Sequence, residues 1–296
     1  MHNIITILEE RNIPFSIDAL RSTKGIKQEK FSAYLQKEYY SFEDMPNDYD
    51  IIFITNPTYL HYETIAQTVH KTKHIFIEKP LFESCNYDLN NLNLQETGIC
   101  YVACPLRYSS VIKYIKKIIK DKKVYSIRAI SSSYLPDWRK DVDYRNVYSA
   151  KKLEGGGVSL DLIHEWDYII DLFGMPLQVY NLSGRYSDLE IDSNDISIYV
   201  AKYQDKLAEL HLDYFGKKQM RQIELFCDDC VILADIINSK IEIHGKKCET
   251  IMLNQEDMYI NEMNYFLNVT LGKKTNSNSI YHAYQVLKTA LGEEGK

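Results

Sequence analysis

Three groups of residues in this sequence could do chemistry. The first is HIFIEKP at 74–80, which ends in Glu78, Lys79 and Pro80. A lysine at a strand end, in a cleft, can bind a substrate oxygen or share a proton. By spacing alone it reads more readily as a solvent-exposed lysine in a turn. The second is LEGGGVSLDLIHEWDYIIDLFG at 153–174. Asp161 and His164 are three apart, so a continuous helix puts them on one face, with Tyr168 and Asp171 extending the stripe. A carboxylate beside an imidazole orients it and tunes its proton affinity, as a general acid–base group requires. The competing reading is a helix with an ordinary polar surface, packed inward through Ile163, Trp166 and Ile170. The third is SYLPDWRKDVDYRNVYSAKK at 133–152, with Tyr134, Trp138, Arg139, Tyr144 and Arg145. Arginine among aromatics suits a phosphorylated or sugar-bearing ligand, and equally a subunit contact.

Other motifs carry less. CDDC at 227–230 reads as a hairpin turn, because a structural zinc takes four ligands and only Cys248 follows. No metal site is expected. The glycines at 155–157 let the backbone bend before a helix but lack the spacing of a phosphate-binding turn. No G-x-S-x-G or H-E-x-x-H occurs. His61, His74, His211 and His244 each stand alone, which favours structural roles.

The elements that must position these groups alternate over the first third. A helix near 2–12, strands near 14–20 and 48–57, a helix at 58–71, a strand at 74–80, a helix near 84–95 and a strand at 98–106 predict a parallel, doubly wound sheet. Ligands of such sheets bind at the carboxyl ends of the strands, where TNPTYLHYE at 55–63 and IEKP lie. An amphipathic helix at 109–120 follows, and then the rhythm changes. A long strand at 124–135 and a helix at 155–173 precede strands at 178–184, 195–203, 207–214, 221–227, 230–237 and 240–244. Turn residues YQDK, FGKK and CDDC between them suit antiparallel hairpins. Two helices, about 254–271 and 279–291, follow.

The 296 residues suggest two domains, and 45% hydrophobic residues suffice for their cores. A net charge of −6 argues against nucleic acid as a partner. The basic run KKIIKDKK at 116–123 sits at a helix end, where Lys complements the dipole. No apolar run is long enough to span a membrane. Glu9, Glu10 and Arg11 stand where a signal peptide is apolar. Six cysteines without framework spacing predict free thiols and a cytoplasmic protein.

Taken together, TNPTYLHYETIAQTVHKTKHIFIEKPL, LRY at 106–108 and GGGVSLDLIHEWDYIIDLFG resemble the Gfo/Idh/MocA family of nicotinamide-dependent oxidoreductases. AYQVLKTALGEEGK is similar to that family's last helix, so the resemblance covers nearly the whole chain. It implies an α/β fold: a Rossmann-like parallel-sheet domain over 1–108, then an α+β domain over 109–296 on an open, mostly antiparallel sheet. It also implies hydride transfer between NAD or NADP and a carbon of a sugar or nucleotide sugar, by a homo-oligomer (dimer or tetramer) joined through the second sheet. By position, Lys79 would touch substrate and nicotinamide ribose, His164 would be the acid–base group, and Asp161 would orient substrate or His164. Thr55, Asn56, Pro57, His61, Glu78 and Pro80 would line the cofactor cleft. Arg107, with Tyr134, Trp138, Arg139, Tyr144 and Arg145, would meet the substrate. Many members space the Asp and His by four; here the spacing is three, and either keeps the pair on one helix face. The loop at 133–150 resembles members of surface-polysaccharide metabolism.

The family begins with a strand and a glycine-rich turn that receives the cofactor's pyrophosphate. This sequence opens MHNIITILEERNIPFSIDALRS, at the helix that normally follows, and contains no G-x-G-x-x-G. Three explanations are open: a longer true protein, a shortened homologue with weak or no cofactor binding, or a gap filled by another segment. The second gives an alternative function, a catalytically impaired homologue that binds sugar or another subunit. After the second strand stand Arg21, Ser22, Thr23 and Lys24, which favour the 2′-phosphate of NADP over NAD.

Overall fold

The computed structural model describes residues 2–21, 33–94 and 98–292. Helix α1 (His2–Glu10) buries Ile4, Ile5 and Ile7. It stops at Asn12, whose φ of 54° leaves the helical region. β1 (Ile17–Leu20) pairs in parallel with β2 (Leu35–Tyr39). β2 is a strand that sequence reading does not anticipate, since LQKEY is short and mostly polar.

A separate parallel sheet has the order β3 (Tyr49–Ile54), β4 (Thr72–Ile77), β5 (Ile99–Val102). The expected covering helix lies between β3 and β4 as α2 (His61–Thr68). Ile54, Ile75, Ile77 and Val102 pack with Ile65 and Val69 below it. Phe53 and Phe76 meet the aromatic side chain of Phe266 on the other face. The helix expected near 84–95 does not form. A short 3-10 turn at Leu89–Leu92 stands there, started by the Asp88 carboxylate accepting from Asn90 N and ended by Asn93 in the left-handed region. Asn and Asp side chains compete with helical hydrogen bonds, and NYDLNNLN is rich in both. β1 and β3 share no ladder; the Tyr49 hydroxyl links them by donating to Asp18 Oδ2 at 2.9 Å.

The second sheet has eight strands: β6 (Val124–Tyr134), β7 (Gln178–Gly184), β8 (Ile196–Lys202), β9 (Leu207–Asp213), β10 (Phe215–Cys227), β11 (Val231–Asp235), β12 (Lys240–His244) and β13 (Cys248–Met252). Their order is β13-β12-β11-β10-β6-β9-β8-β7, antiparallel throughout except β6–β9. The expected FGKK hairpin is therefore corrected. The chain leaves β9, crosses to the far side of β6 and returns as β10. There Tyr134 pairs with Phe215 and Ser132 with Met220, so β10 bulges at 216–219. CDDC does turn a hairpin, with Cys227 N donating to Cys230 O at 2.8 Å, and all six cysteines are free. One face of the sheet buries Ile127, Leu210, Ile223 and Leu225. The other leaves Tyr180, Leu182, Ile198 and Val200 exposed.

Helices α3 (Ser110–Ile118), α4 (Val158–Asp161), α5 (His164–Phe173), α6 (Met258–Thr270) and α7 (Ile280–Leu291) complete the molecule. α6 returns to the first part of the chain, where Leu267 joins the apolar residues of α1. No helix among the described residues is long and apolar enough to cross a membrane.

Candidate active site

The predicted helix at 155–173 is broken. α4 ends at Asp161, Leu162 turns out of helical geometry (φ −100°, ψ 25°), and α5 begins at His164. The glycines permit this entry. Gly157 has φ 123°, and a Cβ on Gly156 would lie 2.2 Å from Tyr148 O, so α4 starts hard against the preceding loop. The break sends Asp161 and His164 in different directions. The Asp161 carboxylate is buried and accepts from the Tyr214 hydroxyl at 2.5 Å. The expected face-sharing pair is thus corrected: no hydrogen bond joins Asp161 to His164 among the described residues. Tyr168 is fully buried rather than part of a polar stripe, and Asp171 pairs with Lys116 at 2.7 Å. Ile163, Trp166 and Ile170 are buried, as the helix pattern implies.

Lys79 reaches this point from the end of β4. Its Nζ donates to the backbone carbonyl of Asp161 at 2.9 Å. Lys79 and His164 line one cleft with Val102, Ala103 and Asn278. Burial lowers the His164 pKa, and the charges of Lys79 and Arg221 push it further down. Burial also lowers Lys79, against the pull of Asp161 and Glu78. The cleft therefore favours a neutral imidazole and also makes the lysine easier to deprotonate than one in water.

On the side of the parallel sheet, Thr55, Asn56 and Pro57 follow β3, and Glu78 lies exposed beside Lys79. Asn56 Nδ2 donates to Thr64 Oγ1 at 2.8 Å, while its buried Oδ1 has no partner. His61 is 1% exposed, with its ring nitrogens 2.9 Å from Asn56 O and 3.1 Å from Leu81 O. It clamps the two strand-end loops together, so its expected place in the lining of the cleft is corrected to one behind it. Burial holds its pKa down. Arg21 forms an ion pair with Glu38 at 2.7 Å, and Ser22 lies outside the described residues.

The loop after β6 divides. Trp138 sets its edge against Tyr214 (5.3 Å, 89°), and the guanidinium of Arg139 lies 5.9 Å from the ring centre of Tyr148. Burial and Asp161 both raise the pKa of Tyr148, which places this tyrosine against the same carboxylate. Tyr134 carries Lys217 over its ring. Trp138 and Arg139 thus connect to Asp161 only through Tyr214 and Tyr148, and with Tyr144 they line a separate hollow. Arg145 is instead held on the surface by Asp143 and Glu190, both at 2.7 Å, and the Tyr144 hydroxyl accepts from Glu190 N. Arg107 is corrected as well. It is buried, with Nε and Nη2 donating to the two Asp167 oxygens at 2.7 and 2.6 Å and Nη1 to Ser277 O at 3.1 Å. It ties α5 to the segment before α7 and leaves no fork for a ligand.

Sequence reading misses Tyr214, Glu165 and Arg221. Glu165 is fully buried behind His164, and Arg221 Nε meets its Oε1 at 2.8 Å. Tyr214 meets Asp161 and Arg221 meets Glu165 through the crossing of the chain from β9 to β10 on the far side of β6, which no local spacing reveals. No group of three or more metal-ligating side chains occurs among the described residues.

Residues 9–92 match the model of an oxidoreductase family with an NAD-binding Rossmann fold, GFO_IDH_MocA. A 141-residue stretch is 26% identical to 2,7-anhydro-N-acetylneuraminate hydratase of Escherichia coli K12. That stretch is 46% of this chain but only 37% of the relative's length. Among solved structures, levoglucosan dehydrogenase in complex with NADH and levoglucosan has a TM-score of 0.81 at 15% identity, over 98% of this chain and 92% of the other. UDP-N-acetylglucosamine 3-dehydrogenase GnnA from Acidithiobacillus ferrooxidans has a TM-score of 0.72 at 18% identity, over 89% and 83%. At such identities the likeness to these structures is one of fold. The family model thus matches residues 9–92 of the chain, and the parallel sheet followed by a larger, mostly antiparallel one is the fold it shares with these dehydrogenases.

Proposed function

We propose that the chain transfers a hydride between a nicotinamide dinucleotide and a hydroxyl-bearing or carbonyl carbon of a sugar or nucleotide sugar. The observation that carries this reading is the meeting of Lys79 and His164 in one cleft at the carboxyl end of the parallel sheet. The residues present fit the nicotinamide half of such a cofactor. The Asn56 Oδ1 atom is buried without a partner, and Lys79 and Glu78 stand beside it at the strand ends. For the pyrophosphate half, the described residues offer no glycine-rich turn.

A bound nicotinamide would give or take the hydride at the sugar carbon. His164, held neutral, takes the proton of the hydroxyl as that carbon is oxidised, and returns it in reduction. Lys79, fixed by the Asp161 carbonyl, directs an N–H at the same oxygen and steadies developing negative charge. Asp161, Tyr214 and Tyr148 form a polar wall for further hydroxyls, with Trp138 and Arg139 at its rim. NADP remains the favoured cofactor on the run after β1, although a 2′-phosphate there competes with Glu38 for Arg21. A role in surface-polysaccharide metabolism is supported by the loop at 133–150 and by the similarity in fold to an enzyme acting on a UDP-sugar. The open sheet face, with its exposed apolar side chains, supports a homo-oligomer.

Fluorescence titration of the purified chain with NADPH and NADH tests the reading. Saturable binding of either is expected. No binding of either overturns hydride transfer and leaves the impaired, sugar- or subunit-binding homologue.

A further inference from the structure

Arg221 and Glu165 form an ion pair that stability does not explain. Glu165 lies in the first turn of α5, next to His164, and is 0% exposed. The only ion pair it makes among the described residues is with Arg221, at 2.8 Å from Nε. Neither Glu165 oxygen has a hydrogen-bond partner of good geometry, and the nearby Tyr168 hydroxyl is also unpartnered. A buried pair satisfied this poorly gains little over two apolar side chains. The arginine end is different. Its side chain is 23% exposed, and no partner for Nη1 or Nη2 occurs among the described residues. Its Nε meets the carboxylate of the residue that follows His164 in α5, so the guanidinium stands one side chain from the cleft, and its charge is felt by both His164 and Lys79.

We propose that Arg221 contacts the substrate by binding an oxyanion that the sugar carries, a carboxylate or a phosphate, beside His164 and Lys79, and that Glu165 is its positioning residue. This rests on the cleft being the sugar site. Guanidinium donors in a fixed fork suit an oxyanion better than a lone hydroxyl. Anchoring through Nε leaves the two terminal nitrogens aimed elsewhere. Burial raises the pKa of Glu165, which leaves the positive charge of Arg221 less neutralised. The bulge in β10 just before Arg221 carries Lys217 and Lys218 on the surface, and these favour the approach of an anion to a chain of net charge −6.

Calorimetric titration of the full chain with D-glucuronate, D-glucose 6-phosphate and D-glucose tests this, with and without NADH. The wild type should bind at least one charged sugar about tenfold or more tightly than glucose. The arm that binds tells carboxylate from phosphate. Arg221→Gln should lose the preference while leaving glucose affinity unchanged. Glu165→Gln/Arg221→Gln, which strands no buried charge, should do the same if the single variant fails to fold. Equal affinities for the three sugars, including no binding of any, overturn the proposal. So does a preference that survives in a folded variant. The outcome is independent of nicotinamide binding, which is judged by the titration above.

Discussion

His164 is defined by what surrounds it. Burial, Lys79 and Arg221 all disfavour the imidazolium, so the ring is neutral to a lower pH than an ordinary histidine. A base that must be neutral then loses activity only below the usual value of about 6.5. In sugar oxidation, the acid limb of kcat/KM should fall below that pH; a limb above it would remove His164 as the base. His164→Ala should lower kcat by about 10²- to 10⁴-fold while nicotinamide affinity measured by fluorescence stays near wild type. Equal activity in mutant and wild type would count against the assignment. Lys79 and His164 stand out in the sequence because each sits in a short segment with a family pattern, and the fold brings both to one cleft. The partner of Asp161 was not. Spacing of three implies a shared face only on an unbroken helix, and Leu162 breaks this one. Arg107 was misread for another reason: a buried arginine and a ligand-binding one look alike until Asp167 is seen on its fork.

At the scale of elements, two buried groups hold the helices in place. Arg107 joins α5 to the loop before α7 through Asp167, with side chains 5% and 10% exposed. Arg107→Ala leaves that carboxylate buried and alone, and should cost about 3–5 kcal/mol of unfolding free energy in urea titration. On α6, Glu262 is buried and accepts from Cys104 N and the Tyr101 hydroxyl. Burial pushes its pKa up to about 8. The folded chain thus holds this proton where the unfolded chain has released it. The resulting stability is present below the unfolded value of about 4.3 and is lost as pH rises toward 8. Glu262→Gln should gain on wild type in melting temperature from pH 5 to pH 8 and level off above; a constant difference would show that Glu262 does not titrate there. Most elements were legible from period and turn residues. β2 and β13 were not, because LQKEY and CETIM lack a strong alternating or apolar pattern. The helix near 84–95 failed because its asparagines outweigh its apolar spacing.

For the whole molecule, the two-layered plan followed from the change of rhythm after residue 120, but strand order did not. Hairpin logic joins sequential strands, whereas β6 inserts between β9 and β10 through pairings remote in sequence. The open face of that sheet exposes Leu182 by 78% and Val200 by 48%. If copies of the chain meet there, Leu182→Arg/Val200→Glu should reduce the mass seen by analytical ultracentrifugation to that of a monomer. An unchanged mass would move the contact elsewhere. The same strand order governs how the chain is made. Ile127 of β6 leaves the ribosome roughly 80 residues before its neighbour Ala208 and 100 before Leu225. Until translation passes β9, β6 has no strand to pair with, and its second neighbour, β10, follows directly after. α6, which closes over α1, arrives later still. The nascent chain therefore carries uncovered apolar surface through much of its synthesis, and a stop codon before α6 would leave Ile4, Ile5 and Ile7 without the cover of Leu267.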